Sequence, residues 1–249
     1  MKNHKLSKLL LASVISSLTV PTFAQQLEEV VVTASKRAEN LQDIPQAVTA
    51  FSSERLVELG IVETSDLMGA IPNIQVTSAY GRTQPNFSIR GISVANEFSA
   101  ATASPVGVYV DEVYQSFRAS HGQQLFDLES VEVLRGPQGT LYGRNTTGGA
   151  VNVNTIKPSL GEGASGFLNV RLGNYSYADL TGAVEATIIT DVLGVRLSGA
   201  VSEADGYVDN TLLGTDHPQT TSTAGRLSVL WRPSDKTDIH AKVYWAEND

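Results

Sequence analysis

The chain has 249 residues, no cysteine, four histidines and a formal charge of −8. Its acidity argues against a nucleic-acid partner, the missing cysteines exclude disulfides and thiol chemistry, and His4, His121, His217 and His240 show no metal-ligand spacing. No stretch after residue 24 is apolar enough for a membrane helix, so any crossing must be made by strands.

Lys2, Lys5 and Lys8 precede the apolar run LLLASVISSLTV, and Thr22-Phe23-Ala24 offers the small residues a signal peptidase reads. Residues 1–24 therefore read as a cleaved export signal, whose loss takes the formal charge from −8 to −11. The alternative, an uncleaved anchor, needs about 20 apolar residues, and this run is too short and too rich in serine. EEVVVTASKR follows, residues 28 to 37. Branching at Cβ makes its valines and threonine favour extended backbone, yet the flanks are polar and no nearby turn sequence returns a partner strand. It reads as a strand without a mate.

Between residues 41 and 160 short helices and strands mix, which predicts a small α+β domain. Ser52 or Ser53 is placed to cap SSERLVELG, with Leu56 and Leu59 on an apolar stripe and Gly60 as the stop; Ser65 is placed to cap SDLMGAI, ended by Pro72. NIQV, NFSIRG, VGVYV, VEVLR and AVNVNT read as strands. The segment VEVLRGPQGTLYGRNTTGGAVNVNT lacks the Lys-Ser/Thr of a P-loop and any G-x-G-x-x-G, so nucleotide binding is set aside. Gly136, Gly139, Gly143, Gly148 and Gly149 are assigned to backbone geometry instead.

From Gly166 onward residues alternate strictly. One face carries Leu168, Val170, Leu172, Leu180, Val184, Val195, Leu197, Val201, Leu227, Val229, Trp231, Ile239, Val243 and Trp245, with no charge; the other carries Asn169, Arg171, Asp179, Glu185, Arg196, Arg226, Ser228, His240 and Lys242. Five strands of about ten residues with these two faces match a membrane β-barrel, apolar toward lipid and polar toward the lumen. A soluble antiparallel sandwich also alternates. The barrel is favoured because Trp231 and Trp245 sit near strand ends, the polar face holds formal charges, and short links near 187–192 and at RPSDKTD bracket a loop of about twenty residues containing GTDHPQTTST.

IPQAVTAFSSERL, DLMGAIPNIQV, NFSIRGI, GVYVDEVY and LFDLESVEVLRGPQGTLYGRNTTGGAVNV, in this order behind a signal and EEVVVTA, resemble the plug domain of TonB-dependent outer-membrane receptors. The resemblance implies an α+β plug domain followed by the start of an antiparallel transmembrane β-barrel, of about 22 strands in the family. The implied division is a signal at 1–24, TonB box and linker at 25–40, plug at 41–160 and the first five wall strands at 161–249. It implies a receptor in the Gram-negative outer membrane, surrounded by lipid and partnered by TonB with its inner-membrane energising proteins. Its cargo would be a ferric siderophore or similar iron complex, with saccharide or cobalamin as the non-iron alternatives.

Glu28, Glu29, Val30, Val31, Val32, Thr33 and Ala34 would form the strand that TonB grips by its backbone. Traction would then peel Glu28 to Phe51 first, because Pro45 interrupts any ladder there. Arg90 and Arg135 match family arginines that pair with wall glutamates, alongside the structural Gly136, Gly139, Gly143 and Gly149. Ligand contacts would come from Tyr80, Arg82 and Gln84 on the plug and from Tyr207, Asp209 and His217 in the long loop. Glu112 departs from the family pattern by standing where glycine is common, which puts a tight primed turn in doubt. No resident cofactor or metal is implied, since iron would enter only within the cargo. A secreted soluble β-rich binding protein would lack this combination of features, and no G-x-S-x-G or H-E-x-x-H supports an exported hydrolase.

Overall fold

The computed structural model describes residues 31–37, 39–78, 84–96, 98–99, 102–122, 124–206, 208–210, 215–217 and 220–248. Among the described residues nine strands precede residue 160: β1 (Val31–Val32), β2 (Glu39–Asn40), β3 (Val48–Ser52), β4 (Ile74–Thr77), β5 (Asn86–Ile89), β6 (Val106–Val110), β7 (Val113–Tyr114), β8 (Leu128–Arg135) and β9 (Gly149–Thr155). Helices α1 (Ser53–Glu58), α2 (Leu67–Ala70) and α3 (Gly139–Tyr142) lie among them. A mixed sheet in the order β3-β8-β9-β6-β7 forms the plug, with β9 antiparallel to β8 and parallel to β6.

Alternation on β8 and β9 loads both faces of this sheet. Val131, Val133, Val151 and Val153 join Phe51, Leu56, Leu67, Ile74, Phe87 and Ile89 in one buried cluster under α1, α2 and the β4–β5 ribbon. Leu134 and Ala150 face the other way, against Tyr109, Tyr142, Ile44, Val32 and Ala34. Each fully buried aliphatic side chain contributes about 1.5–3 kcal/mol, so neither face could stay bare. Val32, Ala34, Leu41 and Ile44 therefore cover the second face.

Four local readings are corrected by this arrangement. EEVVVTASKR does find a mate within the chain: β1 pairs antiparallel with β2, Val31 opposite Asn40, through a turn with Lys36 at φ 58°. Its burial, not its turn sequence, selects that pairing. Ser52 caps α1 by accepting from the Arg55 amide at 3.4 Å, but Leu59 is exposed because the helix ends at Glu58 before Gly60, leaving Leu56 as its buried residue. Ser65 is not the second cap: the turn at Thr64–Asp66 starts with a capping box in which Glu63 is the N-cap and the Asp66 carboxylate accepts the Val62 and Glu63 amides at 2.9 Å each. Finally, the primed turn forms without glycine. Asp111 at φ 48° and Glu112 at φ 68° join β6 to β7 directly, Val110 opposite Val113.

The second sheet consists of β10 (Ala164–Leu172), β11 (Ala178–Ile189), β12 (Leu193–Ala204), β15 (Thr220–Ser234) and β16 (Thr237–Asn248), antiparallel in that order; β13 (Val208–Asn210) and β14 (Thr215–His217) pair with each other in the β12–β15 connection. That connection is shorter than the sequence suggests, because β15 begins at Thr220. Rows across the sheet keep residue types together, as in Val184, Leu197, Leu227 and Val243, or Glu185, Arg196, Ser228 and Lys242. The charged row is covered and the apolar row is bare: Arg196 is 6% exposed and Ser228 1%, against 61% for Val184 and 70% for Val243. A soluble sandwich would bury the opposite face. The sandwich reading is excluded by this inversion.

Candidate functional site

The plug sits against the charged face of the wall, and their main joint is built on Asp127. Asp127 ends the loop before β8 in a left-handed conformation, φ 53°, which aspartate tolerates better than most side chains. Arg196 on β12 donates through Nε to Asp127 Oδ2 at 3.0 Å and through Nη2 to Oδ1 at 2.5 Å. Arg226 on β15 donates to Asp127 Oδ2 at 3.0 Å and to its carbonyl at 2.6 Å, with its guanidinium over the Phe126 ring at 4.9 Å. Burial alone would raise the Asp127 pKa, yet hydrogen bonds and charge from Arg196, then the charge of Arg226, hold it below the ordinary carboxylate value. Glu185 balances Arg196 from the far side at 2.8 Å.

Two smaller ties flank this joint. Gln124 donates to Ser202 Oγ at 2.8 Å, and Lys242 on β16 pairs with Asp111 in the strained turn. Asp111 also accepts the Thr155 amide at 2.9 Å. The turn's positive φ angles are thus held from both the wall and β9. Sequence reasoning missed Asp127 altogether; the available signal was that Arg196 and Arg226 face inward and need a carboxylate.

At the second face of the plug sheet, the N-terminal segment meets a fully buried carboxylate. Glu132 on β8 accepts the Thr33 amide at 2.7 Å and the Thr33 hydroxyl at 3.0 Å, with Asn154 and Asn152 donating at 3.2 and 3.3 Å. Tyr142 donates its hydroxyl to the Ala34 carbonyl at 3.0 Å, and Tyr109 donates to the Tyr142 carbonyl at 2.6 Å. Burial pushes the Tyr142 hydroxyl well above its ordinary pKa, so it remains a donor. Val32, Thr33 and Ala34 are therefore docked and Val31 is paired in β1, while Glu28, Glu29 and Val30 lie outside the described residues.

The other sequence-selected residues are dispersed. Tyr80, Arg82 and Tyr207 lie outside the described residues. Gln84 is half-buried just before β5, its carbonyl accepting from Ser78 Oγ at 3.1 Å. Asp209 and His217 fall in the β13–β14 ribbon, where Val208 faces His217 and Asp209 faces Asp216. Arg90, at φ 53°, lies over Gly136 beside Arg135, whose Nε is buried without a hydrogen-bond partner among the described residues. Neither arginine pairs with a described carboxylate; among the described residues the plug–wall joint is made by arginines of the wall that hold an acid of the plug.

Of the assigned glycines, Gly149 has the strictest reason. A Cβ there would overlap the Leu134 carbonyl oxygen and crowd Ile89, and φ is 154°. Gly139 departs from the assignment, because its φ is ordinary and nothing lies within 4 Å of a Cβ built there.

Residues 40–150 match the family described as TonB-dependent Receptor Plug Domain. The chain is 30% identical over 219 residues to the pesticin receptor of Yersinia pestis, covering 86% of this chain and 31% of that protein. It is 27% identical over 252 residues to the ferrioxamine B receptor of Salmonella typhimurium, covering 95% and 33%. The crystal structure of the ferric yersiniabactin uptake receptor FyuA from Yersinia pestis superposes with a TM-score of 0.74 at 25% identity, covering 82% of this chain and 32% of that one. The chain thus spans about a third of the length of these relatives. With a matching plug sheet, a charged wall closed on it and an apolar face turned outward, the chain belongs to the TonB-dependent receptors.

Proposed function

We propose that this chain is the plug and first wall strands of an outer-membrane receptor that imports a ferric chelate, energised through TonB. The observation that carries the reading is the inside-out wall: its charged side is spent on holding a folded plug and its apolar side is left for lipid. A wide lumen filled by such a domain needs an external pull to open. The relatives whose names specify ferrioxamine B and ferric yersiniabactin favour iron cargo over the saccharide and cobalamin alternatives. No resident cofactor enters this reading; iron is cargo.

In this reading residues 1–24 are the export signal, 25–40 the box and linker, 41–160 the plug and 161–249 the opening of the barrel. Glu28 to Ala34 form the TonB handle; Tyr80, Arg82, Gln84, Tyr207, Asp209 and His217 meet the chelate from outside. Arg90 and Arg135 are assigned to carboxylates on later wall strands. TonB pairs with the handle by strand addition, and traction peels β3, which lies at the edge of the plug sheet and is bonded on one side to β8.

The test is uptake of radiolabelled ferric chelates by cells carrying the full-length receptor, with and without TonB. TonB-dependent accumulation of one chelate is expected, and unchanged growth and uptake across all chelates would move the cargo to the non-iron class. Cross-linking Thr49→Cys to Val133→Cys, a directly opposed pair, should abolish that uptake reversibly. Uptake that survives the closed disulfide would remove the peeling step.

A further inference from the structure

We propose that Asp127 is the fixed point at which traction-driven unravelling of the plug stops. The proposal rests on the reading above, in which the N-terminal strand is the handle. Pulled from its N-terminal end, β3 leaves β8 one residue pair at a time, from Val48–Leu134 to Ser52–Ser130. The next attachments along the chain are the Leu125 amide on the Val62 carbonyl at 2.7 Å, the Glu63–Gln124 bridge, and Thr64 Oγ1 on the His121 carbonyl at 2.8 Å. Their partners all fall in residues 121–125, immediately before Asp127. The peeling front therefore runs into this segment.

That segment is the part of the plug fastened to the wall. Gln124 is tied to Ser202, and Asp127 is gripped by two arginines through its carboxylate and through its own carbonyl. The bonds ahead of it are between neutral groups, whereas those on Asp127 are charge-assisted, largely removed from water and roughly twice as strong. Load arriving at residues 62–64 passes into β12 and β15, which the membrane holds, and so does not reach β8, β9 and β6. Asp127 is thus a positioning residue: it divides a yielding edge from a retained sheet.

The experiment uses the full-length receptor in cells, with single cysteines introduced on either side of the divide, which is convenient because this stretch has none of its own. Leu56→Cys reports the yielding part and Val106→Cys, fully buried in β6, the retained part. With ligand and an energised membrane, Leu56→Cys should react with a periplasmic maleimide and Val106→Cys should not. Adding Asp127→Asn should speed labelling of Val106→Cys at least tenfold, only while TonB is energised; Arg226→Gln, a milder loss, should act in the same direction. Unchanged labelling of Val106→Cys in both variants, with Leu56→Cys still reactive, would overturn the fixed point and leave the handle intact. Labelling of Val106→Cys without TonB would make Asp127 a folding residue and equally overturn the proposal. Failure of Leu56→Cys to react in the parent would instead sink the traction reading itself.

Discussion

Asp111 and Glu112 show how a side chain's surroundings override its backbone preference. A left-handed residue costs about 1–2 kcal/mol when it is not glycine, and two stand together here. Lys242 and the Thr155 amide hold Asp111, whereas Glu112 is exposed. Glu112→Gly should therefore stabilise the plug by about 1 kcal/mol, read as slower hydrogen exchange of β6 and β7 amides; faster exchange would mean that Glu112 is held by more than the turn. His121 supplies a pH dependence. Burial lowers its pKa from 6.5, the nearby Arg118 charge adds to that, and the Gln115 carbonyl opposes it. The unfolded chain then takes up the proton first, so stability contributed by neutral His121 is complete above about pH 6.5 and falls as pH drops below it. Plug protection should fall between pH 7.5 and 5.5 in the parent and much less in His121→Gln. Equal losses in both would assign the acid sensitivity elsewhere.

The elements divide sharply into those that the sequence announces and those that only the assembly defines. β8, β9 and the wall strands are legible because branched or apolar residues recur every second position over a long run. β3 is a harder case, since VTAFS is short and polar at two of its five positions. In the β1–β2 pair the valines announce an extended segment but nothing announces its partner: each strand is two residues long, and the reason for the pairing is the bare face of the plug sheet beneath Val32 and Ala34. Asp127 was equally hidden, because its partners lie 69 and 99 residues away and nothing in LFDLES marks it. The docked segment makes its own prediction. If residues 28–34 are the TonB handle, as proposed, TonB competes with Glu132 for residue 33 and with β2 for residues 31 and 32, so loosening the dock should favour TonB. Thr33→Val removes the hydroxyl but keeps shape and amide, a loss of about 1 kcal/mol or roughly fivefold. Ligand-free receptor carrying it should bind the TonB C-terminal domain about that much more tightly by calorimetry; unchanged affinity would mean that docking and TonB pairing do not compete.

At the scale of the whole molecule, two surfaces of opposite character meet through one wall. Its inner charges Glu185, Arg196, Arg226 and Lys242 are engaged by the plug or by one another, while its outer rows gather aliphatic side chains between Trp231 and Trp245. Trp231 stands opposite Ile239, six residues before Trp245 on β16, so the two tryptophan levels lie about 20 Å apart along the strand, or about 15 Å in height at the tilt of barrel strands, which fits within the apolar band of an outer-membrane barrel. The fold, the handle and the fixed point all presuppose that this band meets hydrocarbon. The most direct measurement places nitroxides singly at Val184, Leu197, Leu227 and Val243, and at Thr181, Ser198 and Ser228, in the full-length receptor reconstituted in bilayers. Collision with oxygen should dominate at the first four positions, and contact with neither oxygen nor an aqueous relaxation agent should mark the last three, covered by the plug. Aqueous collisions at Val184 and Val243 equal to those of a free surface label would contradict the account.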